Sequence, residues 1–323
     1  MYLSIIVPVY NVEKYIRPCL ESIFFQGLNE KDYEVIVVND GTRDRSMEVV
    51  DSFQTAHSNM TIIHQENQGL SIARNTGMKH AKGDYIAFLD SDDILAKNSL
   101  KSLFTLTIRN DADLVFANFL KLNDEDIEQY LGKEFITSPF TTEVKSGKAL
   151  LIQNLNPREC YVWRTLYKRA FLLKNNIAFI PSITYEDIPF THECILKARK
   201  VIKTDLVFYI YRQGHASITH ELTVRKGKDL CISIARIWEL TQTKGLDAEV
   251  KACMEDHVFA SFSVLLYAIA EHIHNSQERK QIIQYLKQLV PKLAFHHGMK
   301  QRLITWLYKT CPYLYLNMRV FQH

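Results

Sequence analysis

Over the first 120 residues, short unbroken apolar runs alternate with stretches in which apolar residues return every three or four positions. Apolar runs of this length bounded by polar turn residues read as buried strands, and the three-to-four spacing reads as helix. Ser4 to Val9 is the first predicted strand. It is followed by a helix carrying Ile16, Leu20, Ile23 and Phe24 on one face, with Asn11 as its expected cap. Glu34 to Val38, Met60 to His64 and Tyr85 to Leu89 read as further strands, separated by helices over Ser46 to Ser58 and Ser71 to His80. The alternation predicts an α/β domain on a mainly parallel sheet with helices on both faces. Each strand runs out into polar residues: Tyr10-Asn11, Asn39-Asp40-Gly41, Glu66-Asn67 and Asp90-Ser91-Asp92-Asp93. Ligands of open α/β sheets bind beyond the carboxyl ends of the strands, so these clusters are expected to converge on one crevice.

The pattern changes after residue 120. Asn123 to Glu128 reads as an exposed acidic loop or helix start, and the region from about Thr137 to His220 mixes helices with short strands at Val201 to Thr204 and Val207 to Tyr211. From Thr223 to Val290 there is no proline, and helical spacings such as Val258, Phe262, Leu265, Leu266 and Ile269 dominate. The expected divisions are 1–120, 121–220 and 221–323. A chain of 323 residues, 47% apolar and 23% charged, is of ordinary globular composition, which excludes disordered and low-complexity classes. There is no uncharged apolar run long enough to predict a membrane-spanning helix. The start, Met1 to Pro8, reads as a strand and not as a secretory signal, so a cytoplasmic protein is expected. Cys19, Cys160, Cys194, Cys231, Cys253 and Cys311 lie far apart without a Cys-x-x-Cys pair, and read as reduced, mostly buried thiols.

The formal charge of +3 conceals a split. Arg279 to His323 holds eight Lys or Arg and no acid, leaving 31 basic residues against all 36 acidic ones in the remainder. On a helix from about Met299 to Lys309, the residues Met299, Leu303, Trp306 and Leu307 share a face, with Lys300, Arg302 and Lys309 beside or opposite it, and Tyr308, Tyr313, Tyr315 and Phe321 add aromatics. This pattern suggests peripheral contact with the inner face of the membrane, or packing of the tail on the body. No nucleic-acid motif accompanies it, and no nucleic-acid partner is expected.

Asp90, Asp92 and Asp93 crowd three carboxylates at a strand end, which favours neutralisation by a proton or a cation. An all-oxygen set suits Mg²⁺ or Mn²⁺; a solvated helix cap is the simpler alternative. No glycine-rich phosphate loop occurs anywhere, so phosphate binding through a metal gains weight. Arg74 offers a bidentate contact to phosphate or carboxylate, or a pair with a neighbouring acid. Asp40 stands where an acid can accept hydrogen bonds from a nucleotide, or simply forms an Asp-Gly turn. Glu186-Asp187, ahead of Pro189, suits a general base or a helix cap, and Arg212 with His215 sets a fixed cation and a histidine in one turn.

In order, these segments resemble the family 2 glycosyltransferases, inverting enzymes with the GT-A nucleotide-sugar fold. The likeness rests on Ser4-Ile5-Ile6-Val7-Pro8-Val9-Tyr10-Asn11, Asn39-Asp40-Gly41-Thr42-Arg43-Asp44, Asn67-Gln68-Gly69-Leu70-Ser71-Ile72-Ala73-Arg74-Asn75 and Asp90-Ser91-Asp92-Asp93. It continues more loosely through Val162 to Tyr167, Glu186-Asp187 and Tyr211-Arg212 to Thr219. The resemblance implies a Rossmann-like GT-A domain, with residues 1–120 binding the nucleotide-sugar and 121–220 the acceptor, followed by a helical extension with a basic tail. It implies that Pro8, Tyr10 and Asp40 line the base pocket, Asp40 reading the base edge. Asp90 would lie near ribose and metal, Asp92 would be the principal ligand of a divalent ion (Mn²⁺ or Mg²⁺), and Asp187 the catalytic base supported by Glu186. Arg212 and His215 would sit near the donor pyrophosphate. Asn39 stands where the family often has Asp, and Thr42 where it often has Ser. The implied reaction takes a sugar from a nucleoside-diphosphate sugar, UDP by family resemblance, to a hydroxyl of a glycan or lipid-linked saccharide in cell-surface polysaccharide synthesis. The alternatives are a haloacid-dehalogenase-like phosphatase with Asp90 as nucleophile, and a non-catalytic nucleotide-sugar-binding module.

Overall fold

The computed structural model describes residues 2–132, 140–214 and 221–310. Every residue of the first strand, β1 (Leu3–Val9), is buried, as a strand covered on both faces must be. In chain order follow α1 (Ile16–Phe24), β2 (Tyr33–Asn39), α2 (Ser46–Ala56), β3 (Met60–His64), α3 (Leu70–His80), β4 (Tyr85–Phe88) and the two-residue β5 (Ile94–Leu95). Next come α4 (Ser99–Asn110), β6 (Leu114–Leu122), α5 (Asp124–Gly132), β7 (Thr142–Lys145), α6 (Gly147–Asn154), β8 (Thr165–Lys168), α7 (Arg169–Lys174), α8 (Asp187–Lys197) and β9 (Val201–Arg212).

Among the described residues the strands form one sheet in the order β3-β2-β1-β4-β8-β6-β9-β5, with β7 on β9. The first four are parallel, aligning Val9 with Asn39 and Ile6 with Phe88. The sheet then becomes mixed: β8 runs antiparallel to both β4 and β6, β6 and β9 are parallel, and β5 and β7 are antiparallel to β9. The two short strands expected between Val201 and Tyr211 are one long strand, and the break in the pattern marks a register shift against β6 around Asn118. The expected boundary at residue 120 falls inside β6, so 1–120 and the strands of 121–220 share a single sheet.

The chain divides into two compact units. One contains residues up to Leu150, Tyr161–Ser182, and Cys194 to the end of β9. Its core includes Ile5, Val7, Cys19, Leu20, Val35, Val37, Leu103, Val115, Trp163 and Phe208. The other contains Leu151–Cys160, Ile183–Glu193 and four helices: α9 (Val224–Thr241), α10 (Ala248–His272), α11 (Ser276–Leu289) and α12 (Gly298–Thr310). Ile234 and Ile237 of α9, Phe262 and Leu265 of α10, Ile282 and Leu286 of α11, and Ile304 and Tyr308 of α12 meet in its core. Burying one such side chain contributes about 1.5–3 kcal/mol. Among the described helices, α10 alone is long and apolar enough to cross a membrane. Its Val258, Phe262, Leu265, Leu266 and Ile269 are buried in this core, while Val264 and Tyr267 are exposed.

Candidate active site at the carboxyl edge of the sheet

From β1 the chain proceeds outward through β2 to β3, then returns to place β4 on the other side of β1. That reversal opens a crevice at the carboxyl ends of β1 and β4, the position where open α/β sheets hold ligands. Pro8 is buried in β1 opposite Val38, and Tyr10, just past the strand, is 43% exposed.

Two carboxylates fix the loops on the β2 side. Asp40 is buried; its Oδ1 accepts from Gln65 Nε2 at 2.7 Å and the Gln68 amide at 2.9 Å, and its Oδ2 from the Gly69 amide at 2.9 Å. It thus ties the end of β2 to the turn before α3, leaving one lone-pair direction on Oδ2. The following Gly41 has φ +71°, and a Cβ there would stand 2.9 Å from the Asn67 nitrogen, so glycine is required. Asp44 accepts from the Glu13 amide at 2.9 Å, the Thr42 hydroxyl at 2.9 Å, and the Ser46 amide and hydroxyl at 3.0 and 2.6 Å. Partial burial works to raise its pKa, but the hydrogen bonds from Ser46, Glu13 and Thr42 prevail and hold it below the usual carboxylate range. Asn11 is not the cap of α1, whose N-cap is Tyr15. It adopts φ +54°, and its Oδ1 accepts the Arg43 amide at 2.9 Å, joining the β1–α1 loop to the β2–α2 loop.

The acidic loop after β4 separates its carboxylates. Asp90 Oδ1 accepts from Arg74 Nη2 at 2.6 Å; the arginine is buried against Phe179 and the Asp90 side chain is 23% exposed. Asp93 is 1% exposed and faces inward: Oδ2 accepts the Tyr209 hydroxyl at 2.7 Å, Oδ1 the Arg212 amide at 2.7 Å. The Tyr209 oxygen also accepts the Asp90 amide at 3.1 Å, and its ring stacks on Trp163 at 4.0 Å. Asp92 remains partly exposed, its carbonyl accepting Arg212 Nε at 2.7 Å. Burial pushes the Asp90 carboxyl up; Arg74 opposes this and the Asp92 charge adds to it. Burial pushes Asp93 much further up, helped by Asp92 and Asp90. Of the three crowded carboxylates, Asp93, which was given no ligand role, is an internal anchor. Arg212 also pairs with Asp124 and lies 5.0 Å over the Tyr15 ring, so its guanidinium braces the acidic loop. Among the described residues, no three His, Cys, Asp or Glu side chains cluster so as to hold a metal by themselves. His215 lies outside the described residues.

In the second unit, Glu186 is buried and the partly buried Asp187 opens α8. The turn before them is held by Ser233 Oγ, which donates to the Tyr185 carbonyl at 2.9 Å, and by Asp229, which accepts the Thr184 amide at 3.1 Å; Tyr185 itself has φ +67°. One turn on, His192 Nδ1 lies 2.8 Å from the Ile188 carbonyl, which can only accept, so His192 Nε2 is the acceptor for His257 Nδ1 at 3.0 Å. The Cys253 thiol, which donates to the Leu151 carbonyl at 3.7 Å, lies 3.6 Å from His257 Nε2. Burial holds these imidazoles neutral, lowering His192 to about 4 and His257, also disfavoured by His192, to about 3. None of the five described cysteines is in a disulfide, and four are buried; Cys311 lies outside the described residues.

Residues 4–174 match the model of the family described as Glycosyl transferase family 2. The chain belongs to that family. The glycosyltransferase is 37% identical over 217 residues to EpsJ, an uncharacterized glycosyltransferase of Bacillus subtilis (strain 168), covering 67% of this chain and 62% of EpsJ, and so spans less than two thirds of that relative. It is 30% identical over 314 residues to YibD, an uncharacterized glycosyltransferase of Escherichia coli (strain K12), covering 94% of this chain and 87% of YibD. The crystal structure of S. aureus TarS 1-349 in complex with UDP-GlcNAc superposes with a TM-score of 0.72 at 22% identity, covering 90% of this chain and 81% of TarS 1-349, a likeness of fold. The glycosyltransferase therefore has a mixed α/β sheet of the GT-A type followed by a helical region, and the phosphatase alternative is set aside.

The first unit of the glycosyltransferase gathers Pro8, Tyr10, Asp40, Arg74, Asp90, Asp92 and Arg212 at or beside the carboxyl ends of its strands, while Glu186 and Asp187 fall in the second. Sequence reasoning gave no role to Tyr209, Trp163 or Asp44. For Asp44 a signal existed, an acid two residues ahead of the serine that opens α2. For Tyr209 there was none, because its partner Asp93 lies 116 residues away.

Proposed function

We propose that this glycosyltransferase moves a sugar from a nucleoside-diphosphate sugar, UDP-linked, to a hydroxyl of a glycan or lipid-linked saccharide, with inversion at the anomeric carbon. The observation that carries the reading is the pairing of Arg74 with Asp90 beside the partly exposed Asp92 at the β1/β4 crevice. The fold of TarS 1-349, crystallised with UDP-GlcNAc, supports the choice of UDP.

Asp92 and the free oxygen of Asp90 fit a hard divalent ion: both are oxygen donors, and their mutual repulsion is relieved by positive charge. Asp92 and Asp90 would hold the ion, and an oxygen-only set of carboxylates suits Mg²⁺ or Mn²⁺. Such an ion, when bound, would offset the charge that develops on the departing diphosphate. The chain's own residues do the rest. Pro8, Tyr10 and Asp40 hold the base, and Arg212 keeps the acidic loop in place by its contact with the Asp92 carbonyl. Asp187, supported by Glu186, takes the proton of the acceptor hydroxyl as that oxygen bonds to the anomeric carbon. The bond from that carbon to the diphosphate oxygen breaks on the opposite face, releasing UDP. A cytoplasmic location, in cell-surface polysaccharide synthesis, accompanies this reading.

The test is a panel of nucleotide-sugars, each followed for nucleotide release with and without Mn²⁺ or Mg²⁺. Release from one UDP-sugar that depends on the metal and rises with a saccharide acceptor is expected. No binding or turnover of any UDP-sugar overturns the donor assignment, and binding without turnover favours the non-catalytic module.

A further inference from the structure

The C-terminal helix α12 has two unlike sides. Ile304, Leu307 and Tyr308 are buried, Tyr308 packing edge-on against Phe262 at 5.1 Å, and Thr305 Oγ1 accepts the Phe295 amide at 2.9 Å. This attachment turns the remaining residues outward: Met299 is 89%, Leu303 51% and Trp306 57% exposed. Leu307, grouped with them by spacing alone, belongs to the core. At about 100° per residue the three exposed side chains fall within about 60° of one another. The exposed Arg302 and Lys309 flank them on one side. Among the described residues no other helix exposes more than two large apolar side chains. Asp256 of α10 accepts from Gln301 Nε2 at 2.7 Å, on the flank away from the triad.

We propose that this face of α12 docks the protein on an anionic lipid bilayer. Met299, Leu303 and Trp306 enter the boundary between headgroups and acyl chains, where tryptophan is favoured, and Arg302 and Lys309 meet the lipid phosphates. The charge selects this occupant. From Arg279 onward the sequence has eight basic residues and no acid, so a second copy apposed through the same face would set cation against cation. A nucleic acid would leave the apolar triad facing phosphates. The inference needs no donor and stands apart from the transfer reaction.

The experiment uses the full chain and sedimentation with vesicles of phosphatidylcholine alone or with about one third phosphatidylglycerol. The variants are Met299→Ser/Leu303→Ser/Trp306→Ser and Arg302→Gln/Lys309→Gln, each checked for an unchanged thermal midpoint. Binding to the anionic vesicles only, reduced by added salt, is expected, with at least about a tenfold loss in either variant. Tryptophan emission should shift to the blue on binding, and the shift should shrink in Trp306→Phe. Donor-dependent nucleotide release in solution should match wild type in both variants, which separates failure of docking from failure of the transfer reading. Equal partitioning of wild type and variants, absence of any preference for anionic vesicles, or a dimer in light scattering that the triple variant abolishes would each overturn the proposal.

Discussion

Tyr209 donates a 2.7 Å hydrogen bond to Asp93, and both groups are buried. Burial and the neighbouring carboxylates push the Tyr209 phenol well above its ordinary range, so it remains a donor. The same oxygen takes the Asp90 amide, which makes β9 the support on which the acidic loop rests.

Tyr209→Phe should therefore remove a donor from a buried carboxylate, and denaturant unfolding should report a loss of about 1–3 kcal/mol. Donor affinity should fall as well, because Asp90 loses the acceptor of its amide. Wild-type stability in this variant would mean that Asp93 is protonated and bonded elsewhere.

Asp92→Asn should behave differently. The residue is partly exposed, so stability should change by no more than ~0.5 kcal/mol. Calorimetric titration of a UDP-sugar in the presence of Mn²⁺ should show affinity reduced by tenfold or more, roughly 1.4 kcal/mol. An unchanged metal-dependent affinity would remove Asp92 from the ligand set.

Asp187→Asn keeps the size of the side chain while removing its basicity. Transfer should drop by at least ~10², with donor affinity preserved. Near-normal transfer between pH 6 and 8, measured with saturating donor and acceptor, would assign the proton to another group.

The buried histidines set an acid limit on stability. The ordinary value is 6.5, and the native fold lowers His192 to about 4 and His257 to about 3, so the unfolded chain binds protons that the native one refuses. Their contribution is complete above pH 6.5 and is lost as pH falls toward those values. Asp93, displaced upward, acts oppositely: its contribution is present below 3.8 and lost as pH rises. Comparing wild type with His257→Gln isolates the imidazole. Between about pH 4.5 and 6 the variant's stability should vary less steeply, by up to about 1.4 kcal/mol per pH unit for one proton. Parallel curves would show that His257 is not held neutral.

The parallel half of the sheet was legible because a strand covered on both faces needs an unbroken apolar run, and Ser4 to Val9 or Glu34 to Val38 can serve no other element well. The antiparallel part was harder to read. β5 has two residues and β7 has three exposed ones, so neither carries a distinct apolar signature. Asp40 and Arg74 were singled out by motif and position, and in the structure each holds a loop together through its own hydrogen bonds. The opposite fates of Asp92 and Asp93 could not be read, since adjacent carboxylates are alike until Tyr209 and the Arg212 amide arrive from another strand. Asn11 looked like a helix cap because the residue types that cap helices also tolerate a left-handed backbone, and here the second use prevailed.

The ties made by Asp44 and Asn11 bear on how such an enzyme can change its donor. Backbone amides of Glu13, Arg43 and Ser46 are all committed to these two side chains, so an insertion in either loop would break contacts in both. The length of each loop is thereby constrained by the other, and under the proposed reading a change of nucleotide is reached by side-chain replacement at an exposed position such as Tyr10 and not by a longer loop.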